Sequence, residues 1–121
     1  MELREVRIME WITSISNMDN IIQDICIKGS CLTVYIKTWD QKIRKIIFSD
    51  YYAFKDKNSI GREIGDISIQ TNSTLLEEFT EDIINGGGTI DEIVDIKSIV
   101  FYDAWNQIIL LEVLSENVDF V

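Results

Sequence analysis

The sequence predicts a single domain of the α+β class. Three observations support this: a length of 121 residues, short β-branched runs separated by turn residues, and one clearly bounded amphipathic helix. A hydrophobic content of 46% and a charged content of 26% are close to globular averages, so we expect a folded core rather than a disordered chain. The elements should assemble as an antiparallel β-meander and a C-terminal β-hairpin, packed with one or two helices.

The first part of the chain is expected to form a short helix and then the β-meander. Residues 2–16 carry an apolar side chain at every third position, which favours an amphipathic helix. Three short runs rich in β-branched residues follow, at 21–28, 32–37 and 43–48. Gly29-Ser30 and the polar break at 38–41 separate these runs as turns do, so the runs predict consecutive antiparallel strands.

The middle of the chain is predicted to hold a polar loop and one short strand. The aromatic stretch 51–54 leads into the polar loop at 55–58. Gly61 and Gly65 interrupt the apolar residues that follow, and they argue against a stable helix because glycine disfavours the helix interior. Residues 67–70 predict another short strand.

The strongest helical pattern covers residues 75–85. Either Ser73 or Thr74 can supply the N-cap, and Thr74 with Glu77 matches a capping box. The glycines at 86–88 should end the helix, because glycine accepts the left-handed conformation of a C-cap. Five apolar side chains form one stripe, namely Leu75, Leu76, Phe79, Ile83 and Ile84. Four acidic side chains remain on the outer face, namely Glu77, Glu78, Glu81 and Asp82.

The last part of the chain is predicted to hold a second short helix and a terminal hairpin. Thr89 and Glu92 repeat the capping pattern, which favours a helix at 90–96. Two runs on either side of the polar break at 103–106 predict the hairpin, at 98–102 and 107–114. The stretch 108–111 is apolar on both faces, so we expect its strand to be central and covered on both sides.

The two cysteines, Cys26 and Cys31, flank the predicted turn at Gly29-Ser30. If they lie directly opposite each other in a hairpin, they can form a disulfide. With a two-residue turn they are offset, and the restrictive geometry of a disulfide then excludes the bond. The chain has no Cys-x-x-Cys motif, so we expect two reduced and packed thiols rather than a redox site.

The composition excludes most catalytic and metal-binding arrangements. The chain has no histidine, which excludes Ser–His–Asp triads, Cys–His pairs and histidine-dependent metal sites. The glycines at 86–88 lack the Lys-Ser/Thr ending of a phosphate-binding loop. Residues 50–61 fail as a calcium-binding loop because Tyr52 and Phe54 occupy ligand positions. We therefore predict no catalytic residues, no cofactor and no bound metal.

One enzymatic alternative stays open. Asp91, Glu92, Asp95 and Lys97 resemble the carboxylate–metal arrangement of some nucleases. This motif is short and common by chance, and a net charge of −10 would repel a nucleic-acid substrate. A carboxylate–metal enzyme is therefore less favoured than a binding function.

The charge balance favours a basic protein as the partner. The chain carries 21 acidic and 11 basic residues, for a net charge of −10. Nucleic acids and anionic membranes are disfavoured, since binding to either requires clustered Lys and Arg. An acidic surface instead steers basic proteins toward it, although the same charge also keeps a protein soluble. Residues 1–5 are acidic where a signal peptide is basic, and no apolar run approaches about 18 residues, so we expect a cytoplasmic protein.

Three groups of residues are candidates for contact with a partner. They are the outer helix face with Glu77, Glu78, Glu81 and Asp82, the predicted turn with Trp39 and Asp40, and the loop with Asp50, Tyr51, Tyr52 and Asp56. Aromatic side chains surrounded by polar groups are typical of interface hot spots. The competing interpretation is that Trp39 and Trp105 fold back over the ends of the sheet and cap the core.

Two stretches of the chain resemble proteins of a known type. They are IRKIIFSDYYAFKD at 43–56 and FYDAWNQIILLEVL at 101–114. Together they resemble small, uncharacterised acidic proteins of low-GC Gram-positive bacteria that look like immunity proteins of polymorphic toxin systems. The resemblance implies a cytosolic, non-catalytic protein that binds and neutralises a cognate toxin, often a basic nuclease. The alternative is a structural protein that self-assembles, for instance as a homodimer through an exposed edge strand.

Overall fold

A computed structural model of the chain describes residues 20–89, 91 and 95–121. Within these ranges the chain forms eight β-strands and one α-helix. In chain order they are β1 (Asn20–Lys28), β2 (Cys31–Lys37), β3 (Ile43–Ser49), β4 (Ala53–Asp56), β5 (Glu63–Gln70), α1 (Thr74–Asn85), β6 (Lys97–Asp103), β7 (Ile109–Ser115) and β8 (Asn117–Phe120). The structure is therefore rich in sheet with one short helix, which confirms the α+β class in this coarse form.

All eight strands belong to one antiparallel sheet with the order β4-β7-β6-β5-β1-β2-β3-β8. Residues 50–52 alone separate β3 from β4, and Glu116 alone separates β7 from β8. β3 pairs with β8 while β4 pairs with β7, so the β3–β4 segment and the β7–β8 segment lie side by side and bend at the same place. We call this bend, formed by residues 50–52 and Glu116, the corner. It joins one half of the sheet, β1-β2-β3-β8, to the other half, β5-β6-β7-β4.

The main core lies between the two halves of the sheet. In β2 buried side chains alternate with half-buried ones, as expected for a strand with one face on the core. Leu32 and Val34 of the first half join Phe101 and Leu111 of the second half in a single buried cluster. Each such side chain stabilises the fold by about 1.5–3 kcal/mol relative to exposure. Continuous antiparallel pairing of β1, β2 and β3 confirms the predicted meander.

The outer face of the second half is covered by α1. Leu76 of α1 packs with Leu114 of β7 and with Ile96 in a second buried cluster. On the other side of β7, Leu111 and Val113 belong to the main core. Since β7 also pairs with β4 on one edge and β6 on the other, the prediction of a central strand covered on both sides is confirmed. The pairing of β6 with β7 likewise confirms the C-terminal hairpin.

Two element boundaries in the middle of the chain differ from the predicted ones. Lys55 and Asp56 belong to β4 rather than to a polar loop, because their backbone pairs with β7. β5 begins at Glu63 rather than at residue 67, since a β-bulge at Gly65 lets the strand continue through the glycine. The polar character of the first segment concealed β4, and the glycine concealed the beginning of β5.

The start of α1 resolves the choice between two predicted N-caps. Ser73 is the N-cap, and its side chain accepts a hydrogen bond from the Leu76 N–H at 3.1 Å. Thr74 is already helical, so the capping box predicted between Thr74 and Glu77 is wrong. The helix ends before Gly87, which adopts a φ of +93° as the glycine signal predicts.

Two predicted helices fall wholly or largely outside the described residues. The helix predicted at 2–16 lies outside them, and so do residue 90 and residues 92–94 of the helix predicted at 90–96. Within the described ranges, no helix has the length and apolar character that crossing a bilayer requires.

The cysteines are offset, as a two-residue turn predicts. The β1–β2 register pairs Cys26 with Thr33 and Cys31 with Lys28. Both thiols are free and half-buried. The prediction of two reduced thiols is therefore consistent with the register of the hairpin.

Candidate functional site

The corner places Tyr52 between the sheet and α1. The Tyr52 N–H donates to the Leu114 carbonyl oxygen at 2.9 Å, which attaches the corner to β7. The Tyr51 N–H donates to the Ser30 carbonyl oxygen at 3.3 Å, and the Ser30 hydroxyl donates to Asp50 Oδ1 at 3.0 Å. These hydrogen bonds hold the bend between β3 and β4 in one conformation.

The side chain of Tyr52 joins three elements. Its ring meets the Phe79 ring of α1 edge to face, with centroids 5.4 Å apart and an interplanar angle of 61°. Its hydroxyl donates to Glu116 Oε1 at 3.0 Å. Burial raises the pKa of this hydroxyl and the bond to Glu116 raises it further, so Tyr52 stays protonated at neutral pH. The side chain is still 42% exposed, which leaves a firmly held ring at the surface.

Carboxylates of α1 and of the corner lie near this ring, and all of them except the half-buried Glu116 are exposed. Asp82 follows Phe79 by three residues, and Glu78 precedes Asp82 by four, so both extend along the same side of α1. Asp50 and Glu116 flank the ring at the corner. We call this set the acidic–aromatic surface; it comprises Asp50, Tyr52, Glu78, Phe79, Asp82 and Glu116. Glu77 and Glu81 are also exposed, farther around the helix.

The acids of α1 have no basic neighbour in their own helix, which contains neither Lys nor Arg. Among the described residues, ion pairs join Lys42 to Asp40 at 3.8 Å and Arg62 to Asp103. Neither pair belongs to the acidic–aromatic surface. No Lys or Arg of the described residues therefore neutralises the exposed acids of α1.

The structure brings together two of the three groups predicted from the sequence. The helix face and the loop at the corner are adjacent because Tyr52 packs on Phe79. Within that loop, Tyr51 is half-buried against the main core. Asp56 accepts a hydrogen bond from the Ser59 N–H at 3.0 Å and so stabilises the turn after β4. Asp50 and Tyr52 are the loop residues that the surface uses.

The third group, Trp39 with Asp40, lies at the other end of the sheet. It occupies the β2–β3 turn, a full strand away from Asp50, so roughly 20 Å separates the two. The Thr38 hydroxyl donates to Asp40 and holds the pKa of that carboxyl below its ordinary value. The interpretation that Trp39 and Trp105 cap the core is wrong, because their side chains are 59% and 84% exposed.

A buried carboxylate that the sequence reasoning missed connects α1 to the sheet. Glu112 in β7 is 5% exposed. Its Oε2 accepts hydrogen bonds from the Ser73 hydroxyl at 2.5 Å and the Ser98 hydroxyl at 2.6 Å. Because Ser73 is also the N-cap, Glu112 fixes the beginning of the helix on β7. The available signal was a single acid inside the apolar run 108–114, since a buried charge requires partners.

No group of three or more Cys, Asp or Glu in the described part of the chain is arranged to hold a metal ion. The arrangement of Asp91, Glu92, Asp95 and Lys97 falls partly outside that part. The carboxylate–metal alternative therefore stays a prediction.

Comparison of the chain with protein-family models, with curated proteins and with solved structures gives no match. The geometry and charge of the surfaces described above are therefore the basis for a proposed function.

Proposed function

We propose that the protein is a non-catalytic binding module that holds a basic protein partner on the acidic–aromatic surface. The observation that carries this proposal is the position of Tyr52. Its exposed ring is held by Phe79 and Glu116, next to the exposed acids of α1. Such aromatic side chains supply much of the binding free energy at protein interfaces.

The carboxylates of this surface act mainly on the rate of association. The negative charge of the α1 acids attracts a basic partner over about 8 Å at physiological salt, and farther at lower salt. The same charge repels nucleic acid and other acidic proteins. Association is therefore expected to be fast at low salt and slower as salt is added.

Tyr52 acts mainly on the lifetime of the complex. Immobilising a side chain on binding usually costs about 0.5–1.5 kcal/mol, but this ring is already held in the free protein. Affinity differences between related complexes lie mostly in the dissociation rate. Tyr52→Ala should therefore shorten the lifetime of the complex more than it slows association.

A toxin with a basic active-site cleft fits this surface best. A nuclease cleft binds phosphates, and the carboxylates of α1 are negatively charged as phosphates are. Of the two stretches that resemble immunity proteins, 43–56 contains residues 50–52 of the corner, and 101–114 ends two residues before Glu116. In this proposal the protein acts in the cytoplasm, because it must bind the toxin in the compartment where the toxin cleaves its substrate.

The test is a pull-down from the native lysate at low and high salt, with the retained proteins identified by mass spectrometry. The bait is compared with the charge-reversed variant Glu78→Lys/Asp82→Lys. The matched control, Asp24→Lys/Asp119→Lys, changes the charge equally at exposed positions on β1 and β8. We expect a basic protein that the wild type and the control retain at low salt and that the charge-reversed variant loses.

Two results would contradict the proposal. Equal retention by both charge-reversed variants would move the contact away from the acidic–aromatic surface. Recovery of the bait alone, together with a stable dimer in sedimentation of the pure protein, would instead favour the self-assembly alternative.

A further inference from the structure

The outer face of the sheet contains a cleft of about 400 Å³ beside the β6–β7 turn. Its lining includes Gly65, Asp66, Ser68, Tyr102, Ala104 and Gln107. This volume falls within the range of about 300–1,000 Å³ that small-molecule sites occupy. Measured along β7, the cleft lies roughly 17 Å from Tyr52, so it is separate from the acidic–aromatic surface. We call it the bulge cleft.

Two irregularities in strand pairing form the walls of the bulge cleft. One is the β-bulge between Ile64 and Asp66, and the other lies at Tyr102, where β6 changes register against β7. At Gly65 a Cβ atom would lie 2.7 Å from the Ala104 Cα, so a side chain there would displace the backbone of the turn. Bulges redirect side chains and are concentrated next to functional sites.

Asp66 gives the bulge cleft its negative charge. Its side chain is exposed, and Oδ1 accepts a hydrogen bond from the Ile67 N–H at 2.9 Å. No Lys or Arg of the described residues forms an ion pair with it. Asp103 also lines the cleft, but it is 2% exposed and is paired with Arg62, so its charge is already compensated.

Tyr102 gives the bulge cleft an aromatic wall. The Gln70 side-chain amide donates to the Tyr102 hydroxyl and thereby holds the ring in place. The Ser68 hydroxyl and the Gln107 amide add further hydrogen-bonding groups. A guanidinium group is planar, stacks on aromatic faces and pairs with carboxylates through several N–H donors. An ammonium group can use the charge of Asp66 but not the flat face of Tyr102 in the same way.

We propose that the bulge cleft binds a guanidinium group, with Asp66 as its counter-ion and Tyr102 as its stacking surface. The group belongs either to free arginine or to an arginine side chain of a protein, and both sources present the same chemistry. The proposal does not depend on the acidic–aromatic surface.

The experiment is a titration of the isotope-labelled protein followed by amide chemical shifts. The first probe is N-acetyl-argininamide, and its neutral isostere N-acetyl-citrullinamide is the control ligand. We expect saturable shifts at the backbone amides of Gly65, Asp66 and Ser68 with the first probe and none with the second. A third titration with L-arginine distinguishes the sources: tighter binding than the blocked amide indicates the free amino acid, and equal or weaker binding indicates a protein side chain.

Asp66→Asn removes the charge but keeps an oxygen that accepts from the Ile67 N–H. The variant should bind N-acetyl-argininamide about fivefold more weakly, the loss expected for one exposed charge pair. Asp119→Asn makes the same change of charge on β8 and should leave the affinity unchanged. Equal shifts with the citrulline probe, undiminished binding by Asp66→Asn, or no saturable shift at all would overturn the proposal. The comparison of the two probes on the wild-type protein stands even if Asp66→Asn fails to fold.

Discussion

The hydrogen bonds of Ser73 make a quantitative prediction about how α1 is attached to the sheet. The hydroxyl oxygen accepts from the Leu76 N–H at 3.1 Å, and the hydroxyl donates to Glu112 at 2.5 Å. Ser73→Ala removes both bonds. Loss of an N-cap costs about 1 kcal/mol, and loss of a hydrogen bond to a charged group costs about 1.5–3 kcal/mol. The free energy of unfolding should therefore fall by about 2.5–4 kcal/mol.

Thr74→Ala is the matched control for this substitution. Thr74 is the first helical residue, and the structure gives its side chain no part in the cap. Alanine is the better helix former, so this change should alter the free energy of unfolding by less than about 0.5 kcal/mol. Urea unfolding followed by circular dichroism measures both variants, and the Tm of Ser73→Ala should fall by roughly 10 °C or more.

Glu112→Gln separates the two contributions of Ser73. Glutamine keeps an acceptor oxygen but removes the charge, so the remaining bond from Ser73 contributes only about 0.5–1.5 kcal/mol. In this background Ser73→Ala should cost about 1 kcal/mol less than it does in the wild type, which a double-mutant cycle measures. Equal destabilisation by Ser73→Ala and Thr74→Ala, or a strictly additive cycle, would refute the role assigned to Glu112.

Three further predictions follow from the turns and the hairpin. The backbone N–H of Trp105 lowers the pKa of Asp103 below its ordinary value of 3.8. The ionised carboxylate therefore stabilises the fold above that pH, and this contribution is lost as the pH falls through the lowered pKa. Because Asp103→Asn lacks the contribution, acid should lower its free energy of unfolding less than that of the wild type. Gly65→Ala should destabilise the fold by about 1–3 kcal/mol in urea unfolding, because the new Cβ would meet backbone at 2.7 Å. After exposure to air, Cys26 and Cys31 should both still react with a thiol reagent. Loss of both thiols with a mass decrease of only two hydrogens would indicate a disulfide and would contradict the offset register.

The meander and the terminal hairpin could be predicted because each strand has a clear local signal. Leu32, Val34 and Ile36 alternate with polar or amphipathic residues, and Gly29-Ser30 marks the turn before them. The doubly apolar run 108–111 identifies a strand covered on both faces. In these segments the local pattern and the tertiary environment agree.

The strand β4 and the first part of β5 could not be recognised because tertiary pairing overrides their local signals. β4 contains Lys55 and Asp56, whose charges suggest a loop, but its backbone is fixed by pairing with β7. β5 runs through Gly65, a poor strand residue, because a bulge there allows close approach to the β6–β7 turn. The pairing partner of β4 and the turn that Gly65 approaches both lie far away in the sequence, so no local pattern reveals them.

The acidic and aromatic groups of the candidate site were predicted, but their contacts with each other were not. The acids of α1 and the aromatic corner were both identified, yet nothing in the sequence shows that Tyr52 meets Phe79 or that its hydroxyl meets Glu116. Trp39 and Trp105 could be placed in turns, but exposure depends on what packs over a turn. Glu112 shows the same limit, because its partners come from α1 and β6.

The corner also has a consequence for the order in which the fold forms. β8 pairs with β3 although about 70 residues separate them in the chain, and contacts of this range form late because loop closure is costly. Glu116 directly follows β7 and Tyr52 directly precedes β4, so the pairing of β4 with β7 brings the two side chains together. None of the contacts that hold Tyr52, with Leu114, Phe79 and Glu116, involves β8, so they can form before β8 pairs with β3. Closure of the fold by β8 thus takes place on a corner that the second half of the sheet has already built.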